Sequence, residues 1–216
     1  MEICAIMDYF AFIKDGEVTM KQNKNDNRQL LLDLAKTYCD REGKHSTPLP
    51  QLHVIRRDSR TEAIPGKYTS LVCLVLQGEK KVWSGKNVFR YNPDQYLVSC
   101  VDAPAIFQVT NASPRQPYIG LTLELQPSIV YEILHDSSMP ESSSNDSNGG
   151  FFVEKVTAEL AEAFARLMRS IENKDELKLL APSIVREIHF RLMRSRYGAK
   201  ISNWGSWEVK RSGSQK

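Results

Sequence analysis

The apolar positions of this chain keep two different periods. Between residues 70 and 125 they fall in short, often β-branched blocks: SLVCLVLQ (70–77), KKVW (80–83), VFRY (88–91), QYLVSCV (95–101), IFQVT (106–110) and YIGLTLEL (118–125). Turn-forming residues separate several of them: Gly78 and Glu79, the SGKN run at 84–87 and the NPD run at 92–94. Short strands broken at close intervals by turn chemistry predict an all-β barrel or sandwich. The first block is apolar without alternation, as a strand covered on both faces would be. LHVIRRD (52–58) predicts one more strand, and Pro65 with Gly66 predicts a turn after it.

Helical spacing governs the chain on either side. QLLLDLAKTY (29–38) predicts a short helix, with Asn25, Asp26 and Asn27 as cap candidates. Gly43 ends it, and Pro48 and Pro50 bar its continuation. Pro127 is well placed in the first turn of a helix, PSIVYEILH (127–135). The run SSMPESSSNDSNGG (137–150) is too polar to bury itself and predicts a flexible loop. From Val156 onward the remainder predicts helix, with Val156, Leu160, Phe164, Leu167, Met168 and Ile171 on one face. Asn173, Lys174 and Asp175 predict a turn. A further helix follows over 177–193, with Pro182 near a second start and Ile184, Ile188 and Leu192 on one face. Gly198 reads as a C-terminal stop, and residues 199–216 show no clear period.

Composition narrows the class. The chain has 216 residues, 41% apolar and 25% charged, enough for one sizeable domain or a domain with an appended helical unit. A net charge of +3 does not by itself argue for a nucleic-acid or membrane partner. Cys4, Cys39, Cys73 and Cys100 share no metal-ligand spacing and predict free thiols in a reducing, cytoplasmic setting. No apolar run approaches the roughly 20 residues of a membrane span. The start, MEICAIMDYFAFIKDGE, lacks a positive leading region and a cleavage site, so it is a poor signal peptide. Residues 1–19 are either an over-long start ahead of Met20 or a short element packed on the body.

Candidate chemistry is sparse. His45, His53, His135 and His189 all lie outside residues 70–125, where no HxH or HxxxE pattern occurs. Each is expected to be a surface or capping residue, and no histidine metal site is expected in the barrel. No GxSxG elbow or phosphate loop is present, and Gly78 and Gly85 read as hairpin glycines. No catalytic residue, metal or cofactor is therefore expected. What remains is a set of polar or amphipathic residues embedded in apolar strands: Gln77, Trp83, Tyr91, Tyr96, Asp102, Gln108 and Tyr118. Each alone could bond to backbone or point outward. As a group they are the candidates for lining a small-molecule pocket.

Five ordered segments also carry a resemblance. Cys73–Gly78 (CLVLQG), Tyr91–Val98, Val101–Pro104, Ala112–Tyr118 and Leu123–Pro127 follow the pattern of one branch of AraC-type regulators in its N-terminal domain. LLAPSIVREIHFRLMRSRYGA (179–199) resembles that branch's closing helix. The resemblance implies an α+β fold: a cupin-like or jelly-roll β-barrel followed by a C-terminal helical hairpin. It divides the chain into an N-terminal extension and short helix (1–44), the barrel (45–136), the loop (137–150), a helical dimerisation region (151–198) and an irregular tail (199–216). It implies a domain that senses an unidentified small-molecule effector and helps to dimerise a transcription regulator, as a homodimer or a heterodimer with a full-length relative. In that family two helix-turn-helix motifs follow and bind DNA. Only residues 199–216 remain here, with Gly205 and Gly213 poorly suited to a helix, so a regulator truncated before its DNA-binding part is expected. The dimer is expected because the two apolar helical faces exceed what a small barrel must cover. They could instead close the barrel's open side. The alternative function is a metal-independent or divergent cupin-type enzyme acting on a small molecule.

Overall fold

The computed structural model describes residues 24–137 and 150–213. The expectations for residues 1–19, and for most of the loop at 137–150, lie outside the described residues. The order is α1 (Lys24–Thr37), β1 (Gly43–Ser46), β2 (Leu52–Arg57), β3 (Ile64–Tyr68), β4 (Leu71–Gln77), β5 (Glu79–Ser84), β6 (Asn87–Tyr91), β7 (Gln95–Ser99), β8 (Ala103–Asn111) and β9 (Tyr118–Glu124). Then come α2 (Pro127–Asp136), β10 (Phe151–Lys155), α3 (Ala158–Ser170), α4 (Lys174–Leu179), α5 (Ala181–Met193) and α6 (Gly198–Gly213).

The strands form two antiparallel sheets. A six-stranded sheet runs β1-β2-β9-β4-β7-β10 and a four-stranded sheet runs β3-β8-β5-β6. Successive strands from β2 to β9 are dealt between the two sheets in jelly-roll order, so the fold is α+β and jelly-roll-like rather than one closed barrel. The helices cover the outer face of the six-stranded sheet. Val72, Leu74, Tyr96, Val98, Ile119, Leu121 and Leu123 pack there with residues from α1, α2, α3, α5 and α6. The opposite parity (Cys73, Val75, Leu97 and Tyr118) packs against the four-stranded sheet. Two covered faces explain why β4 is apolar at successive positions 72–75, all buried.

Several elements differ from the sequence expectation. Pro65 and Gly66 lie in β3, opposite Ile106 and Ala105 of β8, rather than in a turn. β3 pairs with β8 alone, and proline is tolerated on such an edge strand. Residues 151–155, expected at the start of the helical region, form β10 against β7. Phe151 and Phe152 are both buried, on opposite faces of the sheet. The expected helical hairpin is four helices, α3 to α6.

Gly198 starts α6 instead of stopping α5, and residues 198–213, expected to be irregular, are helical. The glycines are there for approach. A Cβ on Gly198 would lie 1.7 Å from the Met193 carbonyl oxygen, and one on Gly205 would lie 2.3 Å from Val130 Cγ1. Gly205 thereby lets α6 pack directly on α2, a gain that outweighs its poor helix propensity.

His189 is the correction among the histidines: it is fully buried on α5. Its Nε2 accepts the Gln126 backbone N–H at 3.0 Å, just before α2 begins, so its Nδ1 carries the proton and donates to the Val185 carbonyl at 2.8 Å. The ring pins α5 to the junction between β9 and α2. His45 and His53 lie half-buried in β1 and β2 of the six-stranded sheet, the second within the strand expected over 52–58.

Burial holds His189 below its ordinary pKa of 6.5, and the bond to Val185 only partly counters this. The folded chain keeps the ring neutral while the unfolded chain protonates it, so stability is present above pH 6.5 and falls as the pH drops below it, by at most about 1.4 kcal/mol per unit. Denaturant unfolding at pH 8 and pH 5.5 will show this loss. His189→Leu will cost about 1–3 kcal/mol at pH 8, by stranding the Gln126 N–H, and will flatten the slope.

Candidate functional site

Two places in the fold gather polar side chains against apolar surroundings. The first is a cleft of about 820 Å³ between loops at one end of the sheets and α6. Thr69, Ser70, Asp102 and Gly150 form one wall; Lys200, Asn203, Trp204, Trp207 and Arg211 of α6 form the other. It is open: Trp207 is 57% exposed, whereas Trp204 is buried. Asp102 pairs there with Lys67 at 3.0 Å. Burial pushes the Cys100 thiol, at the edge of this cleft, up to about 12 against the opposing pull of Lys200, so it is protonated and unreactive at neutral pH.

The second place is the layer between the sheets. Strand parity directs Lys80 and Val82 of β5, Tyr91 and Phe89 of β6, and Phe107 and Val109 of β8 into it. Tyr68 enters from β3, and Cys73 and Tyr118 from β4 and β9. Gly120 clears room for the Tyr118 ring: a Cβ there would lie 2.5 Å from the Tyr118 hydroxyl. The hydroxyls of Tyr68, Tyr91 and Tyr118 are buried without a hydrogen-bond partner. Burial first, then the neighbouring Cys73, raises the pKa of Tyr91 and Tyr118 well above the ordinary tyrosine value, so both stay protonated.

Lys80 is 7% exposed, and its Nζ lies 5.2 Å from the Tyr68 ring centre and 5.1 Å from that of Phe107. Burial disfavours its charge, but the adjoining Tyr68 and Cys73 outweigh this and leave the amine above its ordinary pKa. The two ring faces supply about 2 kcal/mol or somewhat more when desolvated. Burying an ammonium costs several kcal/mol, so the rings alone do not balance it. Glu79, the next residue along, has the opposite parity; its carboxylate accepts from Thr110 and pairs with Arg90 at 3.6 Å.

The seven sequence-derived candidates do not converge. Tyr91 and Tyr118 meet in the inter-sheet layer. Tyr96 faces the helices, where burial raises its pKa to about 12. Trp83 lies on the outer face of the four-stranded sheet under Lys81, and Gln108 shares that face, donating to the Thr61 carbonyl at 3.0 Å. Gln77 donates to the Pro117 carbonyl at 2.6 Å, and Asp102 lies in the α6 cleft. Sequence reasoning missed Tyr68, Cys73 and Lys80 as polar members of the layer. The signal for Lys80 was parity: in EKKVW it shares a face with Val82, not with Trp83.

Removing a buried hydroxyl that has no partner is favourable. Tyr91→Phe and Tyr118→Phe will each raise stability, by about 1 kcal/mol. Chemical denaturation checks this, and a loss of similar size would show that the hydroxyl is satisfied inside the folded chain.

Comparison with known proteins places this geometry. No curated protein sequence matches the chain. Among solved structures, wild-type ToxT from Vibrio cholerae strain SCE256, bound to an unsaturated fatty acid, aligns with a TM-score of 0.51 at 6% identity, over 70% of this chain and 55% of that one. An apo ToxT variant from the same strain gives 0.49 at 6% identity, over 75% and 59%. The AraC-like transcriptional activator CuxR gives 0.34 at 16%, over 65% and 49%. At such identities only the first likeness bears on this chain, and it shows the fold alone. The chain spans little more than half the length of the ToxT structures. The profile of the AraC-type transcriptional regulator N-terminus family matches residues 48–200, which holds nearly all of both sheets and most of the helical cover, and the chain belongs to that family.

Proposed function

We propose that this chain is the sensing part of a regulator and takes a small-molecule effector between its two sheets. The observation that carries the reading is the set of three partnerless hydroxyls, Tyr68, Tyr91 and Tyr118, gathered in one otherwise apolar layer. Buried polar groups without partners are rare in folded proteins, and three together mark a place suited to receiving a ligand. The fatty-acid-bound ToxT structure, which shares the fold, supports a small apolar ligand as the kind of molecule taken. A thermal-shift screen of small metabolites with the full chain tests this. At least one chemical class will raise the Tm in proportion to the logarithm of its concentration, as linkage requires. Tyr91→Trp, which fills the layer, will abolish that shift. If every stabilising compound acts equally on the variant, the inter-sheet reading falls.

A second part of the reading concerns association. The apolar faces that suggested a dimer from sequence are covered inside the chain: Leu160, Phe164, Leu167, Met168, Ile188 and Leu192 are all buried. The large apolar side chains left outside on this side are Leu179 (69% exposed), Leu180 (50%) and Phe190 (40%), at the end of α4 and on α5. These are the residues a second copy of this chain, or a longer AraC-type relative, would cover. Light scattering on the full chain will give a dimer mass. Leu179→Glu combined with Leu180→Glu will give the monomer without loss of fold, and a wild-type monomer at high concentration removes this part of the reading.

A further inference from the structure

We propose that the outer face of the four-stranded sheet is a docking surface for an acidic amphipathic helix of a partner protein. The inference goes beyond the effector reading and does not rest on it. Strand register builds the surface. Pro65 on β3 lies opposite Ile106 on β8, Ile106 opposite Trp83 on β5, and Trp83 opposite Val88 on β6. The inward parity of these strands belongs to Tyr68, Phe107, Val82 and Phe89, so the four point away from the core. Neighbouring strands stand about 4.8 Å apart, which makes the row an apolar line of roughly 14 Å across the whole sheet. Val88 is 52% exposed and Ile106 42%; Pro65 is exposed as well, and Trp83 is half-buried. Apolar side chains aligned on one solvent face, rather than scattered singly, mark an interaction surface.

Cations border the row. Lys81 and Arg90 are direct cross-strand partners at the next outward positions of β5 and β6. Like charges directly opposite each other destabilise a sheet, and Glu79, 3.6 Å from Arg90, offsets one charge of the pair. The Lys81 Nζ stands 4.5 Å from the centre of the Trp83 ring, which holds its charge at the margin of the apolar row. Beyond the row's other side, Lys67 takes the next outward position of β3 and pairs with Asp102 at 3.0 Å, and Lys86 lies in the exposed turn from β5 to β6. Lys67, Lys81, Lys86 and Arg90 against Glu79 and Asp102 leave a positive margin, whose complement is an apolar stripe flanked by carboxylates. A helix matches the spacing as well, because its apolar residues recur about every 5.4 Å along the axis, close to the distance between strands. A second copy of this chain would bring the same cations to the face and be repelled. A nucleic acid would need rings for its bases, and Pro65, Ile106 and Val88 supply none.

The test uses the full chain and a fluorescein-labelled peptide of about twelve residues, with leucines at helical spacing and aspartates between them. Two counterparts carry lysine for each aspartate or serine for each leucine. Anisotropy titration is expected to show the acidic apolar peptide binding about tenfold or more tightly than either counterpart, and less tightly as salt rises. Lys81→Glu combined with Arg90→Glu changes only the solvent face. It is expected to fold, which circular dichroism checks, and to turn the preference towards the lysine peptide. Where it does not fold, Lys81→Gln combined with Arg90→Gln takes its place, with loss of the acidic preference expected. Val88→Ser combined with Ile106→Ser keeps every charge and is expected to abolish binding of the acidic peptide. Equal affinity for the three peptides, or no binding of any, overturns the proposal. An acidic preference unchanged in the variants overturns it too. So does tighter binding of an oligothymidylate or of phosphatidylglycerol vesicles than of the acidic peptide, which would give the face to a nucleic acid or a membrane. A change of mass on light scattering in the charge-reversed variant would give it to a second copy, with the same result.

Discussion

The six-stranded sheet has no solvent face over its central strands, and most of the architecture follows from that. β9, β4 and β7 are covered by helices on one side and by the second sheet on the other, so both parities of each strand must be buried. Each aliphatic side chain so buried contributes about 1.5–3 kcal/mol. The helices must then present continuous apolar faces and approach closely. α3 does so with small side chains: Ala161, Ala163 and Ala165, which lie on more than one side of the helix, are fully buried. α6 does so by omitting a side chain at Gly205, opposite Val130. His189 fastens the same arrangement by satisfying a backbone N–H at the point where the chain leaves the sheet for α2.

The two faces of that sheet are not equivalent. The helix-side core is several times larger and runs through five helices, so it supplies most of the apolar burial. The inter-sheet core is thin, and it holds the three partnerless tyrosine hydroxyls and the buried lysine. A fold whose stability rests on one face can tolerate unsatisfied groups on the other.

The strands from β4 to β9 were legible because their periods and turns agree locally: alternation, hairpin glycines and Pro93 all mark the same boundaries. The misread elements are those where a long-range contact overrides the local signal. Pro65 is a turn residue by propensity but lies on an edge strand whose partner is β8. Phe151 and Phe152 follow a polar run and read as the lead-in to a helix, yet they complete the sheet beside β7. Gly198 and Gly205 read as helix breakers because the Met193 carbonyl and Val130, which require them, lie elsewhere in sequence or around a turn. For the site, type was legible and direction was not. Tyr91 and Tyr118 were found because an aromatic in a strand is conspicuous. Trp83 and Gln108 are equally conspicuous, but one residue of parity puts them on the outer face. Lys80 was passed over because a lysine in a hairpin is ordinarily a solvated one.

The placement of these polar groups argues for use rather than accident. A stray buried hydroxyl costs about 1–3 kcal/mol, and a protein of ordinary stability carries few such penalties. Scattered through the helix-side core they would weaken the sheet's main support. Here they share one layer, with Cys73 beside Tyr91 and Tyr118, Lys80 across from Tyr91, and Gly120 cleared for Tyr118. Substituting phenylalanine for each tyrosine would be a conservative change and would relieve the penalty, so stability gives no reason for the hydroxyls. The effector site we propose in that layer would give one: a ligand there would satisfy groups that the fold leaves unsatisfied, and what they cost the protein would return as affinity and as selectivity for a molecule that can accept their hydrogen bonds.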